Sequence, residues 1–251
     1  MLLRGRDVVS TQFMNSVDFD ALRNETDLVL IPLGAVEIYG PHLPLGADGI
    51  ATTALAERVA AEEPAFIAPL IPVGFSSNLM GFPGTLSVEP DALIAYTRGI
   101  VESYIRWGAR RFLFLNGHAG NVPYISKLGS DLEDNHGVKC AQIDWWRFIQ
   151  PLSKDLEASD AFPHGHAAEF GTSVMLHLVP EHVKSERAIR DMPESEKAFP
   201  DFLRASLGRE RSPSGVIGDA TLGTAEKGAE VMNRAVERVL SFIRSEHFTI
   251  S

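Results

Sequence analysis

Leu28-Val29-Leu30-Ile31-Pro32-Leu33 is an unbroken apolar run that opens into Gly34-Ala35-Val36-Glu37-Ile38-Tyr39-Gly40-Pro41-His42-Leu43-Pro44-Leu45-Gly46-Ala47-Asp48. Such a run is too short for a buried helix and suits a strand covered on both faces, as in parallel sheets. The glycine- and proline-rich loop behind it carries Glu37, His42 and Asp48. In an open parallel sheet the site lies outside the carboxyl ends of the strands, so this loop is the first place to look for chemistry.

The same pattern recurs along the chain. Phe112 to Leu115 is a second buried strand, and Phe66 to Ile71 and Val138 to Ile143 are weaker versions of it. Between them, Ala51, Leu55 and Val59 keep helical spacing behind Asp48. Leu93, Tyr96, Ile100, Tyr104 and Trp107 form a stripe that stops at Gly108, and the segment from Val122 to His136 stops at Gly137. A last helix runs from about Ala225 to Ile243. Strands alternating with helices predict an α/β fold, a mostly parallel sheet covered on both faces, in one domain over residues 1–251. The charged stretch from about Glu181 to Ser214, with Pro193, Pro200 and Pro213, reads as a peripheral insertion, a lid or a subunit contact.

Composition narrows the function. The chain has 251 residues, with 33 acidic against 23 basic side chains and a net charge of -10, and it offers no basic stripe for a nucleic acid backbone. No stretch approaches the roughly 20 apolar residues of a membrane span, and the opening segment does not read as a signal peptide. Cys140 is the single cysteine, which forbids an internal disulfide and fits a reducing, cytoplasmic compartment. There is no glycine-rich phosphate loop after the first strand.

Three strand ends collect metal-competent side chains: the loop with Glu37, His42 and Asp48; Asn116-Gly117-His118-Ala119-Gly120-Asn121; and His164-Gly165-His166-Ala167-Ala168-Glu169, which opens another helix. Two carboxylates and an imidazole suit Zn²⁺, Mn²⁺ or Fe²⁺ better than copper. Such an ion lowers the pKa of water from near 15.7 towards ~7 and polarises a carbonyl, which makes hydrolysis feasible at neutral pH. Taken singly, Asp48 also reads as a helix cap, Glu37 as a solvated charge and His118 as a turn residue. His136, His177, His182 and His247 carry no assigned chemistry.

Pro32-Leu33-Gly34-Ala35-Val36-Glu37 leading into Gly40-Pro41-His42-Leu43-Pro44-Leu45-Gly46-Ala47-Asp48 resembles the opening motif of the creatininase (creatinine amidohydrolase) family. Phe82-Pro83-Gly84-Thr85, Asn116 to Asn121, His166 to Ser173, and Gly215 to Thr221 followed by Thr224 to Gly228 agree in the same order. The resemblance covers nearly the whole chain. It implies a three-layer α/β/α sandwich, a divalent-metal hydrolase of small, often cyclic, amide or carbonyl compounds, and a homo-oligomer. The family also holds a formamidopyrimidine deformylase, a peptidase of mycofactocin maturation and a hydrolase of a diketo-inositol, so membership leaves the substrate open.

Carried over by position, Glu37, Asp48 and His118 match metal ligands, Asp48 where the family carboxylate bridges two ions, and His166 matches the catalytic histidine. The departures concern the second ion. Tyr39 stands where the family has an imidazole, Gly120 where creatininase has a glutamate, and Gly171 where many other members have one. A phenol with a pKa of about 10 is a poor ligand, so one Zn or Mn ion per chain is expected. Tyr39 is then free to donate a hydrogen bond to a developing oxyanion, or merely fills space. Glu169, three residues after His166, is expected as general base, as an extra ligand, or as partner of a basic residue elsewhere. Leu79 replaces a frequent family histidine, Asn116 and Asn121 shape loops, and Trp145 and Trp146 are candidate pocket walls. The readings that result are a creatininase-like amidohydrolase, a ring-opening C–C hydrolase of an inositol-derived cyclic ketone, or a non-catalytic binding relative.

Overall fold

The computed structural model describes residues 10–193 and 208–249. In chain order the helices are α1 (Ser16–Leu22), α2 (Ala47–Glu62), α3 (Pro90–Arg106), α4 (Val122–His136), α5 (Trp145–Phe148), α6 (Gln150–Ser153), α7 (Glu169–Leu178), α8 (Gly208–Arg211) and α9 (Ala225–Ile243). The strands are β1 (Leu28–Leu33), β2 (Phe66–Ile67), β3 (Arg111–Asn116), β4 (Lys139–Asp144), β5 (Arg190–Asp191) and β6 (Gly218–Asp219). The first four form one parallel sheet in the order β2-β1-β3-β4.

Every residue of β1 is buried, because its two faces serve two cores. Leu28 and Leu30, with Leu113 and Leu115 of β3, pack with α2, α7 and α9; Val29, Ile31 and Leu33, with Phe112 and Phe114, pack with α1, α3 and α4. The period-2 alternation of strand side chains thus generates a three-layer α/β/α sandwich. On α9, Val231, Met232, Val239 and Ile243 are almost fully buried, each contributing about 1.5–3 kcal/mol of apolar burial.

Local differences from the sequence reading have simple causes. The run expected over Phe66 to Ile71 is a strand only over Phe66–Ile67, with Ile71 bridging back to Leu33; Pro69 between them has no N–H for the ladder. On α3 the inward row is Leu93, Thr97, Val101 and Tyr104, whereas Tyr96 and Trp107 of the expected stripe are exposed. Part of the expected insertion, 194–207, lies outside the described residues. Of its described ends, β5 pairs antiparallel with β6. Among the described residues no helix is long and apolar enough to cross a membrane.

The chain leaves β1 towards β2 on one side and later returns to β3 on the other. The crevice between the carboxyl ends of β1 and β3 is therefore the topological switch point, where open α/β sheets bind their ligands.

Candidate metal centre and cavity

Glu37 follows β1, Asp48 lies in the first turn of α2, and His118 comes two residues after the end of β3. Their close approach depends on missing side chains. A Cβ on Gly34 would lie 2.5 Å from the Gly49 nitrogen, and one on Gly117 would lie 2.6 Å from the Asp48 carbonyl oxygen. Asn116 holds the His118 turn, its Nδ2 donating to the His118 carbonyl at 2.8 Å, and Asn121 Nδ2 donates to the Gly34 carbonyl at 3.1 Å. Both asparagines shape loops, as the sequence suggests.

Ligand atoms of Glu37, Asp48 and His118 all lie within 4.8 Å of one another, and all three residues are buried. His118 Nε2 donates to the Phe75 carbonyl at 2.9 Å. The other ring nitrogen, Nδ1, faces Glu37 Oε2 at 3.2 Å and Asp48 Oδ2 at 3.5 Å. A lone pair against two carboxylates calls for a cation, either a proton or a metal ion. Asp48 Oδ2 is buried without a hydrogen-bond donor. An oxygen-oxygen-nitrogen set with one orphaned oxygen, its histidine oriented by a backbone carbonyl, fits a borderline divalent ion such as zinc or manganese.

Without a metal, the proton takes its place. Burial alone would lower His118, but the Asp48 and Glu37 carboxylates beside its ring hold it well above the usual histidine value. Burial alone would raise Glu37, and His118, His166 and Ser76 together hold it below the carboxylate norm. Asp48 goes up, through burial and the neighbouring Glu37 charge, against the nearby His118 ring and the Trp146 hydrogen bond. Burial, then the charges of Asp48 and Glu37, push the Tyr39 phenol well up. Tyr39 therefore stays protonated and keeps a hydrogen that it can donate.

A cavity of about 370 Å³ opens over these residues, with Tyr39, Trp146 and His166 in its wall. The Tyr39 ring lies between the His166 and Trp146 rings, at centroid distances of 4.6 and 5.8 Å. His166 Nε2 donates to the Ile38 carbonyl at 2.7 Å, so the neutral ring carries its basic lone pair on Nδ1. Trp146 Nε1 donates to Asp48 Oδ1 at 2.8 Å. Of the two tryptophans, Trp146 is a cavity wall, while Trp145 is buried in the core. Leu79 also lines the cavity.

Glu169 is not in this assembly. It is fully buried, accepts from Ala158 N at 2.9 Å and Ser159 N at 2.8 Å, and pairs with Lys227 Nζ at 2.5 Å. The spacing argument breaks down because α7 begins at Glu169 itself, and Ala167 has φ 53°. His166 and Glu169 therefore do not share a helical face. His42 also points elsewhere, its Nε2 against Thr172 Oγ1 at 2.8 Å, and His164 stacks on Phe170 with Nε2 at 2.9 Å from Ser153 Oγ.

Three contributions escaped the sequence reading. Ser76 Oγ donates to Glu37 Oε2 at 2.6 Å and lies 3.2 Å from His118 Nε2, and the Phe75 carbonyl beside it fixes the His118 tautomer. Neither leaves a sequence signal. Asp144, at the end of β4, has two buried oxygens without hydrogen-bond donors, although Arg147 Nε is 3.4 Å away. Asking what ends each strand would have found it. The third is the wall formed by Gly208, Arg211, Ser212, Gly215 and Ile217, which brings one end of the expected insertion to the cavity.

Residues 12–243 match the sequence model of the creatininase (creatinine amidohydrolase) family. The chain is 28% identical to creatinine amidohydrolase from Pseudomonas putida over 239 residues, covering 87% of this chain and 89% of the relative. It is 29% identical to 3-dehydro-scyllo-inosose hydrolase from Thermotoga maritima over 241 residues, covering 87% and 76%. A solved creatininase with manganese superposes with a TM-score of 0.82 at 25% identity, covering 96% of this chain and 99% of the other. With the motifs in order along both sequence and fold, this chain is a member of the creatininase family of metal-dependent hydrolases.

Proposed function

We propose that the cavity hydrolyses a small, polar, cyclic amide, amidine or ketone, using one divalent ion held by Glu37, Asp48 and His118. The observation that carries this is the convergence of three buried ligand atoms, one of them, Asp48 Oδ2, without any donor. A zinc or manganese ion held there supplies Lewis acidity, which polarises a carbonyl and acidifies water.

The protein's own groups do the rest. Ser76 and Trp146 orient Glu37 and Asp48 through their hydrogen bonds, leaving His118 Nδ1 and Asp48 Oδ2 aimed inwards. Tyr39 donates its hydroxyl hydrogen to the substrate oxygen as negative charge develops there. His166, anchored through Nε2 to the Ile38 carbonyl, uses Nδ1 to take a proton from the attacking water and return it to the leaving atom. The apolar walls exclude competing water.

A single ion is supported by what fills the second position. A Cβ on Gly120 would collide with the Phe75 carbonyl and with His118 Nε2, whereas one on Gly171 would make only an ordinary contact with the Tyr39 ring. One oxygen of Asp48, at the family's bridging position, is taken by the Trp146 N–H. The comparable similarity to the inosose hydrolase supports a second reading, C–C cleavage of an inositol-derived cyclic ketone. The family resemblance also supports a homo-oligomer. A cytoplasmic site of action fits Cys140, whose thiol is pushed up to about 12 by burial and by Glu133 and is thus unreactive.

The test is metal analysis of the purified protein, followed by a screen of creatinine, cyclic amides, formamides and oxidised inositols with metal-reconstituted enzyme. One ion per chain, turnover with ¹⁸O uptake from labelled water, and loss of both ion and turnover in Glu37→Gln and His118→Ala are expected. A preparation that retains no ion and that neither zinc nor manganese activates sinks the proposal.

A further inference from the structure

Among the described residues, the cavity wall draws its uncharged polar side chains from Tyr39, Asn78, Trp146, His166 and Ser212. All but Asn78 already face a group of the protein. Tyr39 lies against the charges of Asp48 and Glu37, Trp146 donates to Asp48, His166 to the Ile38 carbonyl, and Ser212 Oγ to the Val216 carbonyl at 2.7 Å. The Asn78 side chain is exposed and has no hydrogen-bond partner among the described residues. Its neighbour in the wall, Leu79, is apolar.

The backbone that carries Asn78 is fixed on both sides. Asn78 is the middle residue of a single 3-10 turn, Ser77–Leu79, directly behind Ser76, whose hydroxyl holds Glu37. Upstream, Phe75 N donates to Asn121 Oδ1 at 3.0 Å and Ser76 N to Ser87 Oγ at 2.9 Å. Downstream, Leu79 N donates to the Ser76 carbonyl at 2.9 Å and Phe82 N to the Leu79 carbonyl at 3.0 Å. Gly208, at the start of α8, packs so closely on this turn that a Cβ there would lie 2.4 Å from Leu79 Cδ2 and 3.2 Å from the Asn78 carbonyl oxygen. The hydrogen bonds that orient a metal ligand therefore also set the position of Asn78, while its own amide stays available, and a group placed in advance loses little freedom on binding.

We infer that Asn78 is a specificity-determining residue that reads the N–H/C=O edge of a ring amide, held away from the carbonyl under attack. An asparagine amide carries an acceptor and a donor side by side. In a five- or six-membered ring a secondary amide is forced cis, so its N–H and C=O lie on one side and can pair with Asn78 together. An open-chain amide is trans and turns them to opposite sides. A ring with one carbonyl to react and a second N–H/C=O edge to be read is a cyclic ureide. At about 370 Å³ the cavity is at the small end of the ligand-site range, which suits a single such ring. This rests on the hydrolase reading for the reacting carbonyl and adds what is recognised at the other edge.

The experiment compares hydantoin and dihydrouracil with their 1-methyl and 3-methyl derivatives, binding to metal-loaded protein by calorimetry, with KM in place of Kd where a probe turns over. Wild type should bind at least one parent ring about tenfold more tightly than one of its methyl derivatives, because the methyl group removes the donor and leaves the Asn78 acceptor unpaired. Asn78→Leu, which keeps the size and removes the amide, should erase that preference with metal content as in wild type. Asn78→Asp retains an acceptor for the N–H and should keep part of it. A preference that survives in Asn78→Leu places the edge elsewhere and overturns the inference, as do equal affinities in wild type or no binding of either parent. An oxidised inositol whose affinity depends on Asn78 when that of the ureides does not overturns it too. Protein that binds ureides through Asn78 yet hydrolyses nothing refutes the hydrolase reading alone. Protein that hydrolyses cyclic amides or ketones and shows no Asn78-dependent preference refutes this inference alone.

Discussion

The indole N–H of Trp146 donates to Oδ1 of Asp48 at 2.8 Å, across the gap between the end of β4 and the first turn of α2, while Oδ2 of the same carboxylate is buried without a donor. One side chain thereby decides which oxygen of Asp48 is left to face the candidate metal position. Trp146→Phe keeps the cavity wall and removes only the hydrogen bond. Metal affinity, measured by competition with a chelator, should fall about ten- to hundred-fold, the usual consequence of losing an outer partner. An unchanged affinity means that the bond orients nothing.

Tyr39 gives a cleaner kinetic test. Burial and the charges of Glu37 and Asp48 keep its phenol protonated, so Tyr39→Phe deletes a donor without changing charge. Turnover should drop about 10²–10³-fold with metal content intact, the range for losing one oxyanion donor. If kcat is retained, the ring only fills the space beside Gly171.

Glu169 and Lys227 should behave as structural partners. Lys227→Met leaves a fully buried carboxylate with the Ala158 and Ser159 amides as its remaining donors, and breaking a buried pair costs about 3–5 kcal/mol. Denaturant unfolding should register that loss, while metal content and kcat per folded molecule remain those of wild type. A fall in kcat without a loss of stability returns Glu169 to the catalytic machinery.

Acid sensitivity should come from histidines away from the metal. Burial lowers both His42 and His164 to about 4, against about 6.5 in the unfolded chain. The unfolded state then binds more protons between these values. Stability from this source is complete above about pH 6.5 and declines as pH falls towards 4, by at most about 1.4 kcal/mol per pH unit per histidine. Denaturant midpoints measured across that window should show the slope, and the double variant His42→Gln/His164→Gln should flatten it.

The sequence by itself determined the layers and pointed to the three candidate ligands. Six apolar residues at Leu28–Leu33 can be buried on both faces only inside a covered parallel sheet. Gly137, with φ 63°, closes α4 where a left-handed cap is needed. The motif loops bring Glu37, Asp48 and His118 to strand ends, where such sheets keep their chemistry. These are properties of period and of backbone conformation, and both are local.

Tertiary structure decided everything that depends on orientation or on long-range neighbours. Spacing placed Glu169 beside His166, but the helix starts one turn too late and Lys227, 58 residues away, claims its carboxylate. The stripe on α3 turned so that Thr97 rather than Tyr96 faces the core. Ser76 and the Phe75 carbonyl, which hold the Glu37 carboxylate and the His118 tautomer, belong to an ordinary loop 42 and 43 residues from His118 in sequence. Gly208 and Ser212 reach the cavity from a segment that the sequence marks as a peripheral insertion, a lid or a subunit contact. Hydrogen bonds and charge pairs act over a few ångströms, and which groups come that close is fixed by packing after the local elements have formed.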